Sequence, residues 1–256
     1  MARLIGLAVL ATIGSAGPLE SCYGIHYQLT LMPDGSGKFE VLISQKPGDE
    51  KDLKKTLDLL EFVEASAGIS AFTAVKTEVK DGWRHSRFTA YFDDVDKVYY
   101  NADGAAQPEG KHHDECLHFK LERRGEGFAL TMEDWVFCKF PGSTKEVPKD
   151  WDDIKKDSEN VVTWTLTMPG LATKTEGFQR MEGRKAFYER SPKTISKFED
   201  AVKWPISARR RVECGKSEVT DAEFAAFRAE LTKAKIAWPK IREDLEAARK
   251  KESEKR

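Results

Sequence analysis

Residues 23–43 read YGIHYQLTLMPDGSGKFEVLI, and this stretch decides the fold class. Tyr23, Ile25, Tyr27, Leu29 and Leu31 alternate with Gly24, His26, Gln28 and Thr30, the period-2 pattern of a strand with one buried face. Pro33-Asp34-Gly35-Ser36-Gly37 supplies turn chemistry, and Phe39, Val41 and Ile43 then alternate again. The reading is a β-hairpin with one apolar face that another layer must cover.

Downstream the period changes. Over 49–67, Leu53, Leu57, Leu60 and Glu64 fall at helical spacing, Leu59, Phe62 and Val63 widen the stripe, and Gly68 is placed as a C-cap. Strand patterns return over 71–79 and 83–92 around Lys80-Asp81-Gly82, a second hairpin signal. The stretch 103–114 reads as a loop and 117–121 and 128–132 as a third hairpin. A helix is placed over 149–158, and strands over 162–168 and 184–190. Thr220-Asp221-Ala222-Glu223 is a capping box. Behind it Phe224, Phe227, Leu231, Ala234, Trp238, Ile241, Leu245 and Ala248 step by three and four, an a/d seam that either packs on its own domain or joins two chains. Pro239 is expected to kink that helix or start a second one. The sum is α+β: an antiparallel sheet of several hairpins with helices packed on one face, plus a C-terminal helical extension.

Upstream of the hairpin, Arg3 precedes an apolar run from Leu4 to Ile13 and the small residues Gly14 to Gly17, which is the order of a secretory signal. Leu19-Glu20-Ser21-Cys22 resembles a lipobox, in which an apolar residue and a small residue precede a lipid-modified cysteine. Glu20 and Pro18 depart from that motif, and a cut after Ala16 competes with it. The cysteines are Cys22, Cys116, Cys138 and Cys214. In an oxidising compartment Cys116 and Cys138, flanking a hairpin, form the expected disulfide. Cys22 then has two rival fates, lipid or a bridge to Cys214.

The hairpin turn Met32-Pro33-Asp34-Gly35-Ser36-Gly37, then Met168-Pro169-Gly170-Leu171-Ala172, Glu176-Gly177-Phe178 and the strand around Phe187, resemble the LppM-like family of bacterial envelope lipoproteins over residues 22–190. The resemblance implies an α+β domain displayed at the cell envelope, membrane-anchored or periplasmic, that binds a lipid or glycolipid. On this reading residues 1–21 are the signal segment, 22–212 the envelope domain and 218–256 the helical segment.

With 42 basic against 43 acidic side chains the net charge is −1, so bulk electrostatics favour no nucleic-acid partner. Outside the N-terminus no apolar run approaches the roughly 18 to 20 residues of a membrane-spanning helix. No nucleophile elbow, HExxH motif or dinucleotide fingerprint is present, so neither enzyme activity nor a cofactor is expected. The richest ligand cluster is His112-His113-Asp114-Glu115-Cys116 with His118 beyond it. His113 and His118 are the candidate metal ligands, weighed against a solvated loop leading to a disulfide. Asp93, Asp94 and Asp96 read as a strand-ending turn or cap rather than a calcium loop. Arg209-Arg210-Arg211 reads as a solvated basic linker, with anionic headgroups as the alternative partner. Trp83, Tyr91, Trp135, Trp151 and Trp164 are candidates for a concavity between sheet and helix.

Three functions follow from these residues: a lipid-anchored, non-catalytic envelope protein binding a lipid, glycan or envelope partner; a soluble exported protein dimerising through its C-terminal helix; and a metal-dependent hydrolase built on residues 112–118. Mass spectrometry of the exported protein's N-terminal peptide separates the first two. A diacylated Cys22 is the expected outcome, and an unmodified chain beginning at Gly17 removes the tether.

Overall fold

The computed structural model describes residues 22–46, 57, 59–101, 116–134, 161–190 and 208–254. Residues 1–21, residues 49–56 and 58 of the sequence-predicted helix over 49–67, the stretches 103–114 and 149–158, Trp135, Trp151 and Cys138 lie outside them. The first strands are β1 (Cys22–Leu31) and β2 (Gly37–Lys46), followed by helix α1 (Leu59–Ala65). Then come β3 (Ser66–Ala67), β4 (Ala71–Phe72), β5 (Lys76–Lys80), β6 (Trp83–Phe92) and β7 (Tyr99–Asn101). A hairpin follows, β8 (Cys116–Arg124) and β9 (Gly127–Asp134). The last elements are β10 (Val161–Thr167), β11 (Gly170–Glu176), β12 (Arg180–Glu182), β13 (Lys185–Arg190), β14 (Ala208–Ser217) and helix α2 (Asp221–Ser253).

The strands form two sheets, not one. The larger runs β12-β13-β10-β1-β2-β6-β4, with β5 also on β6, and the smaller runs β11-β14-β9-β8-β7-β3. The opening hairpin is as its sequence reads, with Leu31 opposite Gly37 and Leu29 opposite Phe39. On its other side β1 pairs with β10 in parallel, Ile25 opposite Val162, so the larger sheet is mixed. Nothing in the alternation of either strand states direction; only the connection does.

The inward stripe of β1, Ile25, Tyr27, Leu29 and Leu31, is buried. It shares one core with Phe88 and Phe92 of β6, Trp164 and Leu166 of β10, and Phe119, Leu130 and Val212 of the smaller sheet. The sheets therefore pack face to face, each covering the apolar side of the other. The chain changes sheets at Met168-Pro169-Gly170. Pro169 has no N–H for a ladder, and a β-carbon on Gly170 would stand 2.3 Å from the Lys216 carbonyl oxygen, so only glycine lets β11 approach β14 this closely. The expected strand over 71–79 is split into β4 and β5. The turn between β5 and β6 has positive φ at both Asp81 and Gly82, as a two-residue hairpin loop requires.

Arg209-Arg210-Arg211 is not a linker. It lies inside β14, which runs past position 212 to Ser217 and pairs with β9 and β11. Arg210, 5% exposed, stacks its guanidinium 3.8 Å from the centre of the Tyr188 ring in the opposite sheet. Arg211 is held by Glu122 at 2.9 Å and Glu213 at 3.1 Å.

Helix α2 is one continuous element through Pro239 rather than two. It starts at the capping box: the Glu223 N–H donates to Thr220 Oγ1, and the Thr220 N–H donates to Glu223 Oε2. The first half of its a/d stripe packs on its own domain. Phe227, Leu231 and Ala234 are buried against Met32, Ala71 and Tyr91, and Trp238 packs on Phe72 at 5.2 Å. The polar flanks reinforce this seat, with Lys235 on Asp93 at 2.7 Å, Lys38 on Glu230 at 3.1 Å, and Arg228 on Asp34. The helix is therefore part of the fold, and truncation before residue 218 is expected to abolish the cooperative thermal transition. Leu231→Ala should cost about 2–4 kcal/mol in denaturant unfolding, the range for an alanine in a buried leucine site.

Candidate functional site

Beside α1, between the two sheets, lies an apolar slot of about 40 Å³. Tyr27 and Phe39 line it from the opening hairpin, Phe88 and Phe92 from β6, Phe119 from the smaller sheet, and Phe62 from α1. Among the described residues no charged side chain lines it. The hairpin supplies its floor because alternation sends every second residue of β1 and β2 inward. Helix α1 reaches it because Leu59 and Phe62 lie three residues apart on one face; Phe62 meets Phe88 at 5.0 Å and Tyr100 at 5.9 Å, one ring from each sheet.

The rings form a graded wall. Tyr27 stacks on Trp164 at 4.4 Å and on Phe39 at 5.4 Å, so the slot ends at an aromatic stack beneath β10. Ser66, the lining residue with an aliphatic hydroxyl, spends its O–H on the Phe62 carbonyl oxygen at 2.5 Å. An apolar cavity of this kind stays dry, and what it favours is methylene or ring, not a polar head. A 40 Å³ space admits only the end of an apolar chain; a longer stretch needs the lining rings to swing aside.

The concavity thus lies between two sheets, not between sheet and helix as the aromatic pattern suggests. Trp83, Tyr91 and Trp164 do not line it: Tyr91 faces α2, and Trp164 sits behind Tyr27. Phe39, Phe62 and Phe88, which do line it, carry no sequence mark beyond the period of their own strand or helix. Of the candidate metal ligands, His113 is outside the described residues and His118 is taken up elsewhere. His118 Nε2 lies 3.2 Å from Glu133, its cross-strand neighbour in β9, with Arg209 on the far side of the same carboxylate. Among the described residues no group of three or more histidine, cysteine, aspartate and glutamate side chains converges on a metal position.

The acidic knot is structural. Asp94 caps the 3₁₀ turn Val95–Lys97 by accepting from the Asp96 N–H, and Asp96 accepts from the Leu121 N–H and Lys120. Asp93 accepts from Lys235 and Ser70, which together hold its carboxyl below the usual range. Cys22 begins β1, opposite Lys46, but its side chain is outside the described residues, as is that of Cys116, so the Cys116–Cys138 bridge is not described. Cys214 is a free thiol buried in β14, between Phe128 and Ala172, on the other sheet from Cys22. Burial pushes its thiol pKa up, against the smaller pull of nearby backbone N–H groups.

No helix among the described residues is long and apolar enough to cross a membrane. No family model matches the chain, and no curated protein matches it. In shape the chain resembles the folded domain of the Mycobacterium tuberculosis LppM protein, solved by NMR. The match covers 82% of this chain and 98% of that one at 16% identity, with a TM-score of 0.40. The likeness is weak.

The buried thiol makes a clean prediction. Alkylation of the native protein, mapped by peptide mass, should leave Cys214 unlabelled, and unfolding without reductant should label it fully. A Cys214 that becomes reactive only after reduction is disulfide-bonded.

Proposed function

We propose that this chain is a non-catalytic protein of the cell envelope, exported by its N-terminal segment and tethered through Cys22, that holds the apolar end of a lipid or glycolipid between its two sheets. The observation that carries the reading is the slot: charge-free and aromatic-walled, and set among strands whose outward faces are polar. Fully packed interiors leave few voids larger than a water. A ring-lined gap at the α1 end of the core is a place where the end of an apolar chain could enter. The N-terminal order of Arg3, apolar run and small residues supplies the export half of the proposal. A headgroup, on this reading, stays outside the slot, because none of the described lining side chains offers it a charge.

The test uses the full purified chain and a fluorescent fatty acid, cis-parinaric acid. Saturable binding of one equivalent is expected, with the probe's fluorescence rising as it leaves water. Ala90→Leu puts bulk into the slot from β6 and should weaken binding at least tenfold. Leu171→Ser, at an exposed position of β11, should leave it unchanged. Equal affinity in a folded Ala90→Leu variant would show that the probe binds elsewhere.

A further inference from the structure

One small side chain of the larger sheet stands among four phenylalanines. Ala90 faces the core from β6 and is 3% exposed. Register sets it beside Phe39 of β2 and Phe72 of β4. Phe88 and Phe92 stand two residues before and after it, on the same face of the strand. All five residues line the apolar slot. At this point the slot has the width of one missing side chain, with a ring on each of its four sides.

The rings do not close over Ala90, because each is held by another partner. Phe39 stacks on Tyr27 at 5.4 Å, Phe88 meets Phe62 at 5.0 Å, and Phe72 packs on Trp238 at 5.2 Å. The Phe92 ring lies over Gly37, where a β-carbon would stand 2.6 Å from its Cζ. Space beside a small residue persists where the surrounding side chains are not free to relax into it. Resting on the lipid reading of the slot, we infer that Ala90 sets the girth of the ligand: it admits the unbranched end of a methylene chain and turns away a methyl-branched one.

A straight methylene chain has the girth of an aliphatic side chain, so it fits the place that a larger residue 90 would fill. Neighbouring strands lie about 4.8 Å apart. Phe39 and Phe72, one strand to either side of Ala90, therefore leave room between them for a single chain. A methyl branch adds bulk sideways, into rings that already have their partners. An apolar pocket distinguishes ligands by roughly tenfold to two-hundredfold for each methylene that does not fit. The same argument names the residue that carries the discrimination, since the flanking rings are common to any packed core and only the alanine between them is small.

The full chain loaded with cis-parinaric acid is titrated with palmitic acid and separately with phytanic acid, which has the same main chain plus methyl branches. Palmitic acid should displace the probe roughly tenfold more readily or better. Ala90→Gly should bring that ratio down toward one by letting the branched acid in. Ala186→Gly makes the same exchange at a buried alanine of β13 that does not line the slot, and should keep the wild-type ratio. A second measurement needs neither variant nor lipid. Xenon under pressure, an apolar guest that dry cavities take up, should shift the ring signals of Phe39, Phe72, Phe88 and Phe92 together in the unmodified protein. Failure of cis-parinaric acid to bind overturns the lipid reading, and this inference with it. With the probe bound, equal displacement by the two acids, a wild-type ratio in folded Ala90→Gly, or rings that xenon leaves unshifted overturns the role of Ala90 and leaves the lipid reading standing.

Discussion

The structure depends on burying the inward stripe of β1. Ile25, Tyr27, Leu29 and Leu31 project from one face of a strand that is paired on both sides, so neither neighbour in its own sheet can cover them. Coverage has to come from a second layer, which the smaller sheet provides. Burying such side chains is worth roughly 1.5–3 kcal/mol each before chain entropy is counted. The rest of the architecture follows from bringing that layer into place. Pro169 and Gly170 end one sheet and start the other, Arg210 ties them by stacking on Tyr188, and α1 fits Phe62 between a ring from each.

The local elements were legible in the sequence, and the assembly was not. The opening hairpin, the turns at 34–37 and 81–82, and the capping box at Thr220 are written in residues within a few positions of one another. The parallel pairing of β1 with β10 joins residues 137 apart, His26 with Thr163 among them, and no periodicity encodes that. The arginine triplet was misread for a specific reason. Along β14, Arg210, Val212 and Cys214 are the inward series, but alternation is invisible when an aromatic face rather than an apolar neighbour accepts the inward side chain. The C-terminal seam was read correctly as a stripe. Its partner, the patch of Met32, Ala71 and Tyr91, comes from three separate segments that only the fold brings together.

The candidate sites were harder still. The slot is lined by residues that would serve as ordinary core in any sandwich, and it differs from core only in what is missing between them. The conspicuous tryptophans drew attention away from it, since Trp164 buttresses the stack from behind and Tyr91 belongs to the helix seat.

The ties that hold the molecule together differ in how they answer to acid. The stack between the sheets uses a guanidinium, which stays charged at every pH a protein meets, and a neutral ring. The seat of α2 leans on carboxylates, including Asp93 with its lowered pKa. A carboxyl whose folded pKa is depressed stabilises the fold above its unfolded value and loses that contribution as the pH falls. Acidification therefore weakens the polar flank of the helix seat at Asp93 and the Glu122–Arg211 tie within the smaller sheet, and leaves the Arg210–Tyr188 clasp between the sheets unchanged.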